Sequence, residues 1–321
     1  MRVIARALLF LALFAAGSLA AQRYQILIYK DPGYQGDWAP EEDSFGTAVP
    51  YWHEGSTYTW VKLDLSSGAN EIWVYYGSAT APDRSNGAAV FELFDDFTAK
   101  DPQWTWPPSW IVSDGCCEHT FPDGWAEMNC VDISFPVDSQ LGYAVRMRLK
   151  SGGSVEAYDL FVRLYEGSSY WKTSWAVGQY DLLFVHESED SWALREEWNE
   201  PDTRIWQVAE IVVLDGSQKI FINSTLEDTR DKNTNQLSRI CLQPKGTAYW
   251  DWLFVRKHLA TDPSVTYFPE ETGTWEIDGH IYTKRRKVSI TSEHDVTGYQ
   301  IALDYSMWGQ PNIRCFDGGS Q

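Results

Sequence analysis

The chain has 321 residues, and its 26 Lys and Arg against 45 Asp and Glu give a formal net charge of −19. Phosphate binding is carried by clustered cations, so this balance argues against nucleic acid or an anionic membrane as a partner. The length is enough for two domains, or for one large β domain with attachments.

The chain opens with the features of an export signal. Arg2 and Arg6 precede an apolar run at 7–16 and a small-residue exit at 18–20, which together predict a cleaved signal peptide at 1–20. The run is shorter than the roughly 20 residues of a membrane-spanning helix. We therefore expect a secreted protein, extracellular or at the cell surface, with no membrane span in the mature chain. A prepilin-type leader cut near Arg6 is the alternative.

After the leader, the sequence has the pattern of β-strands. Alternating or β-branched and aromatic runs recur, such as "YTWVKLDL" at 58–65, "YAVRMRLK" at 143–150 and "YWDWLFVRKH" at 249–258. Asp215-Gly216 lies between two such runs and predicts a type I′ hairpin. The pattern predicts an all-β protein, a sandwich or jelly roll with a smaller β module.

Composition shifts predict the domain boundaries. The Pro-bearing polar stretch "ATDPSVTYFPEETG" has the composition of a linker. We predict a signal peptide, a partial small β domain, a large β domain, a linker and the opening strands of a second or complementing small domain, at 1–20, 21–92, 93–260, 261–274 and 275–321.

Several motifs point to a known family. "VPYWHE" at 49–54, "TWVKLDL" at 59–65, and the stretches 71–97 and 249–265 resemble a family of bacterial and archaeal surface proteins of unknown function. There, a small β domain with Pro-Tyr-Trp-x-Glu and Tyr-Tyr-Gly motifs joins a laminin-G-like jelly roll. The resemblance implies a concanavalin A-like β-sandwich (jelly roll) flanked by partial small β-sandwich modules.

The two ends of the chain carry nearly the same phrase, "YQILI" at 24–28 and "YQIAL" at 299–303. The resemblance implies that each end is half of a small domain. The chain is then a fragment of a tandem array, or its terminal strands complete the next copy in a head-to-tail filament, or they complete their own chain. The candidate assembly-strand residues are Arg285, Val288, Ile290, Tyr299 and Ile301.

Catalytic motifs are weak in this sequence. A retaining glycosidase needs two carboxylates about 5–5.5 Å apart, and no Glu-x-Asp-x-x-Glu run occurs. The acids of the cluster at 156–159 would face opposite sides of a strand, and the cluster at 187–190 is typical of a solvated turn. We therefore expect a protein that is not an enzyme; a polysaccharide-active enzyme, or its accessory carbohydrate-binding portion, is the alternative.

Aromatic residues give the stronger functional signal, because the chain has seventeen Trp and seventeen Tyr. Exposed rings stack on sugar faces while polar neighbours bond the hydroxyls. We predict carbohydrate binding, adhesion or filament assembly, with glycans or copies of the chain as partners and the 104–110 loop as an exposed platform. The candidate ligand-binding residues are Trp104, Trp106, Trp110, Trp171 and Trp175.

Three further sites are predicted. Asp95, Asp96 and Asp251 resemble positions near a structural calcium in concanavalin A-like domains, so the resemblance implies Ca²⁺. Asn223 begins a glycosylation sequon. The five cysteines permit two disulfides. Adjacent Cys116 and Cys117 do not readily bond each other, which makes Cys130 the expected partner of one of them, with Cys117 as the candidate.

Overall fold

A computed structural model describes most of the chain after residue 47. The described residues are 48–120, 127–130, 133–152, 160–166, 169–175, 182–188, 191–197, 205–231, 233–244, 246–309, 311 and 313–317. The predicted signal peptide at 1–20, the phrase at 24–28 and the acidic cluster at 156–159 lie outside them.

Nearly every described element is a strand, which confirms the all-β prediction. In chain order the elements are β1 (Ala48–Val49), β2 (Tyr51–Glu54), β3 (Tyr58–Leu65), β4 (Gly68–Tyr76), α1 (Gly87–Val90), β5 (Leu93–Asp95), β6 (Trp110–Ser113), β7 (Cys116–His119), β8 (Met128–Cys130), β9 (Phe135–Pro136), β10 (Leu141–Ser151), β11 (Leu160–Glu166), β12 (Ser169–Trp175), β13 (Leu182–Ser188), β14 (Ser191–Glu197), β15 (Gln207–Leu214), β16 (Ser217–Ile222), β17 (Thr225–Arg230), β18 (Gln236–Leu237), β19 (Arg239–Pro244), β20 (Ala248–Leu259), β21 (Ser264–Ile277), β22 (His280–Ser292), β23 (Val296–Asp304) and β24 (Arg314–Asp317).

The chain forms two compact units. The first combines Met1–Val90 with Pro263–Gln321, and the second is Phe91–Asp262. The second unit is a two-sheet β-sandwich, and the pieces on either side of it in the chain form a smaller unit that also has two sheets, in agreement with the predicted all-β sandwich.

The first unit is built from both ends of the chain. One sheet has the order β1-β24-β4-β22-β21, and the other has the order β2-β3-β23. Val288 of β22 pairs with Ile72 of β4, and Ile301 of β23 pairs with Val61 of β3. These four side chains are buried. The strands near the C-terminus therefore complete the small unit within their own chain, the third of the arrangements considered above.

Specific polar contacts also join the two ends. Trp308 Nε1 donates to Thr59 Oγ1 at 3.2 Å, and Gln300 Nε2 donates to the Val90 carbonyl at 3.0 Å. Gln300 is buried, and a buried amide is costly to leave unbonded. These hydrogen bonds therefore select one register between the ends.

The predicted linker at 261–274 is largely a strand, because β21 begins at Ser264. Its composition resembles a linker because β21 is the edge of its sheet, where proline and irregular register are tolerated. Pro269 lies inside the register shift between Tyr267 and Glu270.

The second unit has two main sheets. The order is β17-β16-β15-β10-β20-β7-β6, with β5 also paired to β20, in the eight-stranded sheet, and β14-β13-β12-β11-β19-β8 in the six-stranded sheet. One core cluster holds Val145 and Met147 of β10 together with Leu164 of β11 and Leu242 of β19. The core therefore lies between the two sheets, and the other face of the eight-stranded sheet is its outer face.

The Asp215-Gly216 hairpin forms, but its turn is not type I′. Leu214 pairs with Ser217, and of the two turn residues only Gly216 has a positive φ, +82°. Asp215 is held by tertiary contacts: its N–H donates to the Asp138 carbonyl, and its Oδ1 accepts from Thr234 N–H, both at 3.0 Å. These contacts keep Asp215 out of the left-handed region that type I′ requires.

All five cysteines are buried thiols in the structure, so the predicted disulfide is absent. Cys117 lies on β7 in the eight-stranded sheet, and Cys130 lies on β8 in the six-stranded sheet. Both side chains pack as apolar groups in the core cluster. Burial raises the pKa of the Cys117 thiol, and it raises the pKa of the Cys315 thiol to about 12.

Candidate functional site

The predicted aromatic platform at 104–110 is wrong for two of its three rings. Trp104 is 3% exposed and Trp110 is fully buried. The Trp110 ring packs against Trp250 with 5.2 Å between centroids. Trp104 forms a β-bridge with Cys130, so this segment fills the sandwich core rather than presenting rings to a ligand.

Of the other three predicted ligand-binding tryptophans, only Trp106 has a described side chain. Trp106 is half-buried; its Nε1 donates to the Asp101 carbonyl at 2.8 Å, and Lys100 Nζ lies 5.2 Å from its ring centroid. Trp171 and Trp175 are on β12, but their side chains lie outside the described part of the structure.

The predicted calcium ligands do not form one site. Asp95 pairs with Leu253, a core residue, so its carboxylate lies on the core face of the sheet, where burial raises its pKa to about 6. Asp251 is bonded to Arg148 on the outer face, and Asp96 accepts from Thr98 in a surface turn. The described residues hold no cluster of three potential metal ligands. These residues do not fit the calcium that the resemblance implies.

Asn223 is exposed at the turn between β16 and β17. Asn223 and Ser224 have φ values of 48° and 70°, the positive pair typical of a type I′ turn. Its Oδ1 accepts from Val208 N–H at 3.0 Å. Glycosylation at Asn223 stays a prediction.

A group of charged and aromatic side chains that the sequence did not single out lies on the outer face of the eight-stranded sheet. Met147 and Leu149 of β10 are in the core cluster. Successive side chains of a strand point to opposite faces, so Arg148 and Lys150 are on the outer face. Both are partly exposed.

A β-bulge in β20 adds a carboxylate to this group. Arg148 pairs with Trp252 and Leu149 pairs with Trp250, so Asp251 is the extra residue. A bulge re-aims a side chain out of the regular alternation. Here it brings the Asp251 carboxylate to Arg148 Nη1, which donates to it.

Two aromatic rings flank the lysine of the group. Tyr249 pairs with Lys150 on one side and with Glu118 on the other, so these three side chains form a row across β10, β20 and β7. Lys150 Nζ lies 4.9 Å from the Tyr249 ring centroid and 4.7 Å from that of Trp206, which precedes β15. Arg148 Cζ also lies 4.7 Å from the Trp206 centroid.

We call this group the bulge face; its members are Glu118, Arg148, Lys150, Trp206, Tyr249 and Asp251. Its rings are half-buried rather than sealed in the core. The side chains of Arg148 and Asp251 are 37% and 29% exposed. The bulge face therefore combines accessible aromatic surface with hydrogen-bonding groups of both charges.

Neither the Tyr249 hydroxyl of the bulge face nor the neighbouring Cys116 thiol is an activated nucleophile. Burial, followed by the Asp251 and Glu118 carboxylates, raises the pKa of the neighbouring Cys116 thiol, whose Sγ donates to the Ser113 carbonyl at 3.1 Å. Burial and the Glu118 carboxylate also raise the pKa of Tyr249. Both groups therefore stay neutral, and a thiolate is the reactive form of cysteine.

A buried ion-pair cluster lies further along the same outer face. Glu210 accepts from Arg146 at 2.7 Å and from Arg256 at 2.5 Å. Burial alone would raise the pKa of Glu210, but Arg256 and Arg146 more than offset burial and lower the pKa to about 2. The cluster ties β10, β15 and β20 together next to the bulge face, since Arg146 and Arg148 are two residues apart on one strand.

The sequence of the chain is similar to one family of proteins over part of its length. A family described as a domain of unknown function (DUF2341) matches residues 42–112, a segment that includes the Pro-Tyr-Trp-x-Glu motif and the junction into the second unit. No curated protein matches the chain. No helix among the described residues is long and apolar enough to cross a membrane.

Solved structures resemble about half of the chain. An endo-β-1,3-glucanase from Pyrococcus furiosus is 12% identical, with 51% of this chain and 93% of that chain covered at a TM-score of 0.41. The laminarinase catalytic domain from Thermotoga maritima is 10% identical, with coverages of 51% and 96% and a TM-score of 0.40. A carbohydrate-binding module, CBM66 from Bacillus subtilis, is 13% identical, with coverages of 49% and 95% and a TM-score of 0.38.

Proposed function

We propose that the chain is a secreted surface protein whose second unit binds carbohydrate at the bulge face without catalysing a reaction. The observation that carries the proposal is the pair of half-buried rings, Trp206 and Tyr249, set among charged side chains. Aromatic rings bury the apolar face of a sugar, while carboxylate, guanidinium and ammonium groups bond its hydroxyls.

The arrangement of the acids favours binding over glycosidase chemistry. A general acid must hold a proton near neutral pH, and its partner must be free to act as nucleophile or base. Asp251 is ion-paired with Arg148, and Glu118 interacts with the Tyr249 hydroxyl. Both carboxylates therefore already interact with neighbouring side chains. This is compatible with a role in binding a sugar, but it does not leave either of them free to act as a nucleophile or base.

Binding to a glycan array, followed by titration calorimetry on the best ligand, tests the proposal. Trp206→Ala and Tyr249→Ala should each weaken binding about tenfold or more, because truncation of an aromatic residue that anchors a binding surface costs about 2 kcal/mol or more. Phe268→Ala is the matched control, since Phe268 is an exposed ring of the first unit that is also capped by a lysine, with Lys287 Nζ at 4.4 Å.

Two results would count against the site. If no glycan binds to the wild-type chain, carbohydrate binding itself is wrong. If glycans bind but both ring variants match the wild type, the binding surface lies elsewhere.

We also propose that copies of the chain associate, for adhesion or as an extracellular filament, by exchange of the strands near the C-terminus. The supporting observation is that residues of 263–317 close the first unit against 48–90 through main-chain ladders and buried side chains. The same contacts form between chains when the segment is passed to a neighbour, since exchange of an identical element is a low-cost route to association.

Light scattering after size-exclusion chromatography, on chain refolded at increasing concentration, tests this association. Exchange predicts oligomers whose proportion rises with the concentration during refolding. A strictly monomeric chain at every concentration would show that closure stays within one copy.

A further inference from the structure

We propose that Lys150 makes the bulge face selective for glycans that carry an anionic substituent, a carboxylate or a sulfate. This inference rests on the carbohydrate site proposed above and specifies the chemical class of its ligand.

The two cations of the bulge face differ in how they are engaged. The Arg148 guanidinium is bonded to Asp251. Among the residues that the structure describes, Lys150 makes no ion pair, whereas Lys284 and Lys287 contact Glu270 and Glu71 at 3.0 and 2.9 Å. Lys150 is therefore the one cation of the bulge face whose charge is not matched by a contacting carboxylate in the described structure.

The rings hold the Lys150 ammonium in place. Its Nζ lies 4.7 Å from the Trp206 centroid and 4.9 Å from the Tyr249 centroid, distances at which a cation is attracted to an aromatic face. A side chain fixed before binding loses less entropy when the ligand arrives. A sugar stacked on either ring would place a ring substituent within reach of this ammonium.

The chemistry of the ammonium selects an anion. It is a compact charge with three donors and no acceptor, and charge-assisted hydrogen bonds to carboxylate or sulfate oxygens are stronger than those to neutral hydroxyls. The two acids of the bulge face do not cancel this preference, because Asp251 is neutralised by Arg148 and Glu118 lies on the far side of Tyr249, two strands away from Lys150.

The charge of the whole chain makes the binding of acidic glycans depend on this cation. A net charge of −19 repels polyanions from most of the surface. Binding of an acidic glycan therefore depends on a local cation, and removing one such cation should have a large effect.

The experiment measures binding of the full mature chain to matched pairs of oligosaccharides: oligogalacturonate and its methyl ester, and sulfated and desulfated chondroitin, beside neutral β-glucans. The first pair tests a carboxylate and the second tests a sulfate. The variants are Lys150→Met, which keeps the stem without the charge, and Lys150→Arg, which keeps the charge. Lys287→Met is the matched control, because it removes a ring-capping lysine that already has a carboxylate partner.

We expect the wild-type chain to prefer the acidic member of a pair about tenfold or more. Lys150→Met should abolish that preference by weakening the acidic member alone, Lys150→Arg should retain most of it, and Lys287→Met should not change it. The preference should also shrink as salt is raised.

Two outcomes distinguish a failure of the role of Lys150 from a failure of the proposed carbohydrate site. If glycans bind through Trp206 and Tyr249 but neutral members bind as well as acidic ones, or Lys150→Met binds like the wild type, the role of Lys150 is wrong and the carbohydrate site stands. If no member of any pair binds to the wild-type chain, both are wrong.

Discussion

Single residues of the same type have opposite roles in this molecule, and tryptophan shows it most clearly. Trp110 is sealed in the core, while Trp206 is half-buried beside two cations. Each tryptophan begins a strand-like run, "WIVS" at 110–113 and "WQVAEIVVL" at 206–214, so the local sequence could not separate them. What the sequence could predict was the alternation in 143–150, which places Arg146, Arg148 and Lys150 on one face of a strand.

The burial of the cysteines predicts how they react with a thiol reagent. Because all five cysteines are buried and none forms a disulfide in the structure, the native chain should react slowly with a thiol reagent, since buried thiols are inert. After denaturation without reductant, we expect all five to react. A thiol-reagent titration of native and denatured protein gives the count. A count of three after denaturation would mean that one disulfide, such as the bond predicted between Cys117 and Cys130, forms after all.

At the scale of elements, the sequence predicts strands better than it predicts their registers. The run at 249–258 was evident as a strand, and strict alternation would place Trp250 and Trp252 on one face. The bulge at Asp251 separates them: Trp250 pairs with Leu149 of the core, and Trp252 pairs with Arg148 of the outer face. The hydrophobicity pattern does not show where a bulge inserts an extra residue, so the position of the Asp251 carboxylate on the outer face could not be predicted from the sequence.

Glu210 joins the three central strands of the eight-stranded sheet, so its carboxylate should contribute to the stability of the second unit. Glu210→Gln should lower the free energy of unfolding of the second unit by about 3–5 kcal/mol, because the change leaves two buried arginines without their carboxylate. Urea unfolding at neutral pH measures the loss. Glu92→Gln is the control, since Glu92 forms a longer ion pair, at 4.0 Å from Lys257, and its side chain is 22% exposed against 9% for Glu210. An equal loss in both variants would contradict the special role of the buried cluster.

The same cluster gives a pH dependence with a definite sign. The pKa of Glu210 is about 2 in the folded chain against an ordinary 4.5, so its stabilisation is present above pH 4.5 and is lost as pH falls toward 2. The difference in unfolding free energy between the wild type and Glu210→Gln should therefore shrink over this interval. A difference that stays constant from pH 6 to pH 3 would show that the charge of Glu210 does not contribute.

At the scale of the whole molecule, the order of the chain does not match the order of its folded units. The sequence indicated two partial modules because each end carries only some of the strands of a sandwich. The hydrophobic pattern of a sequence indicates which residues are buried, but it does not indicate which other strands pack on them. The structure supplies the partner: β22 and β24 lie on either side of β4, and β23 lies beside β3, all in one chain.

This arrangement predicts that the two ends unfold together. Val288→Asp places a carboxylate in the shared core beside Ile72, and burial of an unpaired charge is strongly destabilising. Hydrogen exchange followed by mass spectrometry should then speed up in 48–90 and 263–317 by similar factors, because one cooperative unit opens as a whole, while 91–262 keeps its protection. Thr291→Asp, an exposed position of the same strand, should leave all three segments unchanged. Faster exchange confined to 263–317 would mean that residues 48–90 hold their fold without the distant end of the chain.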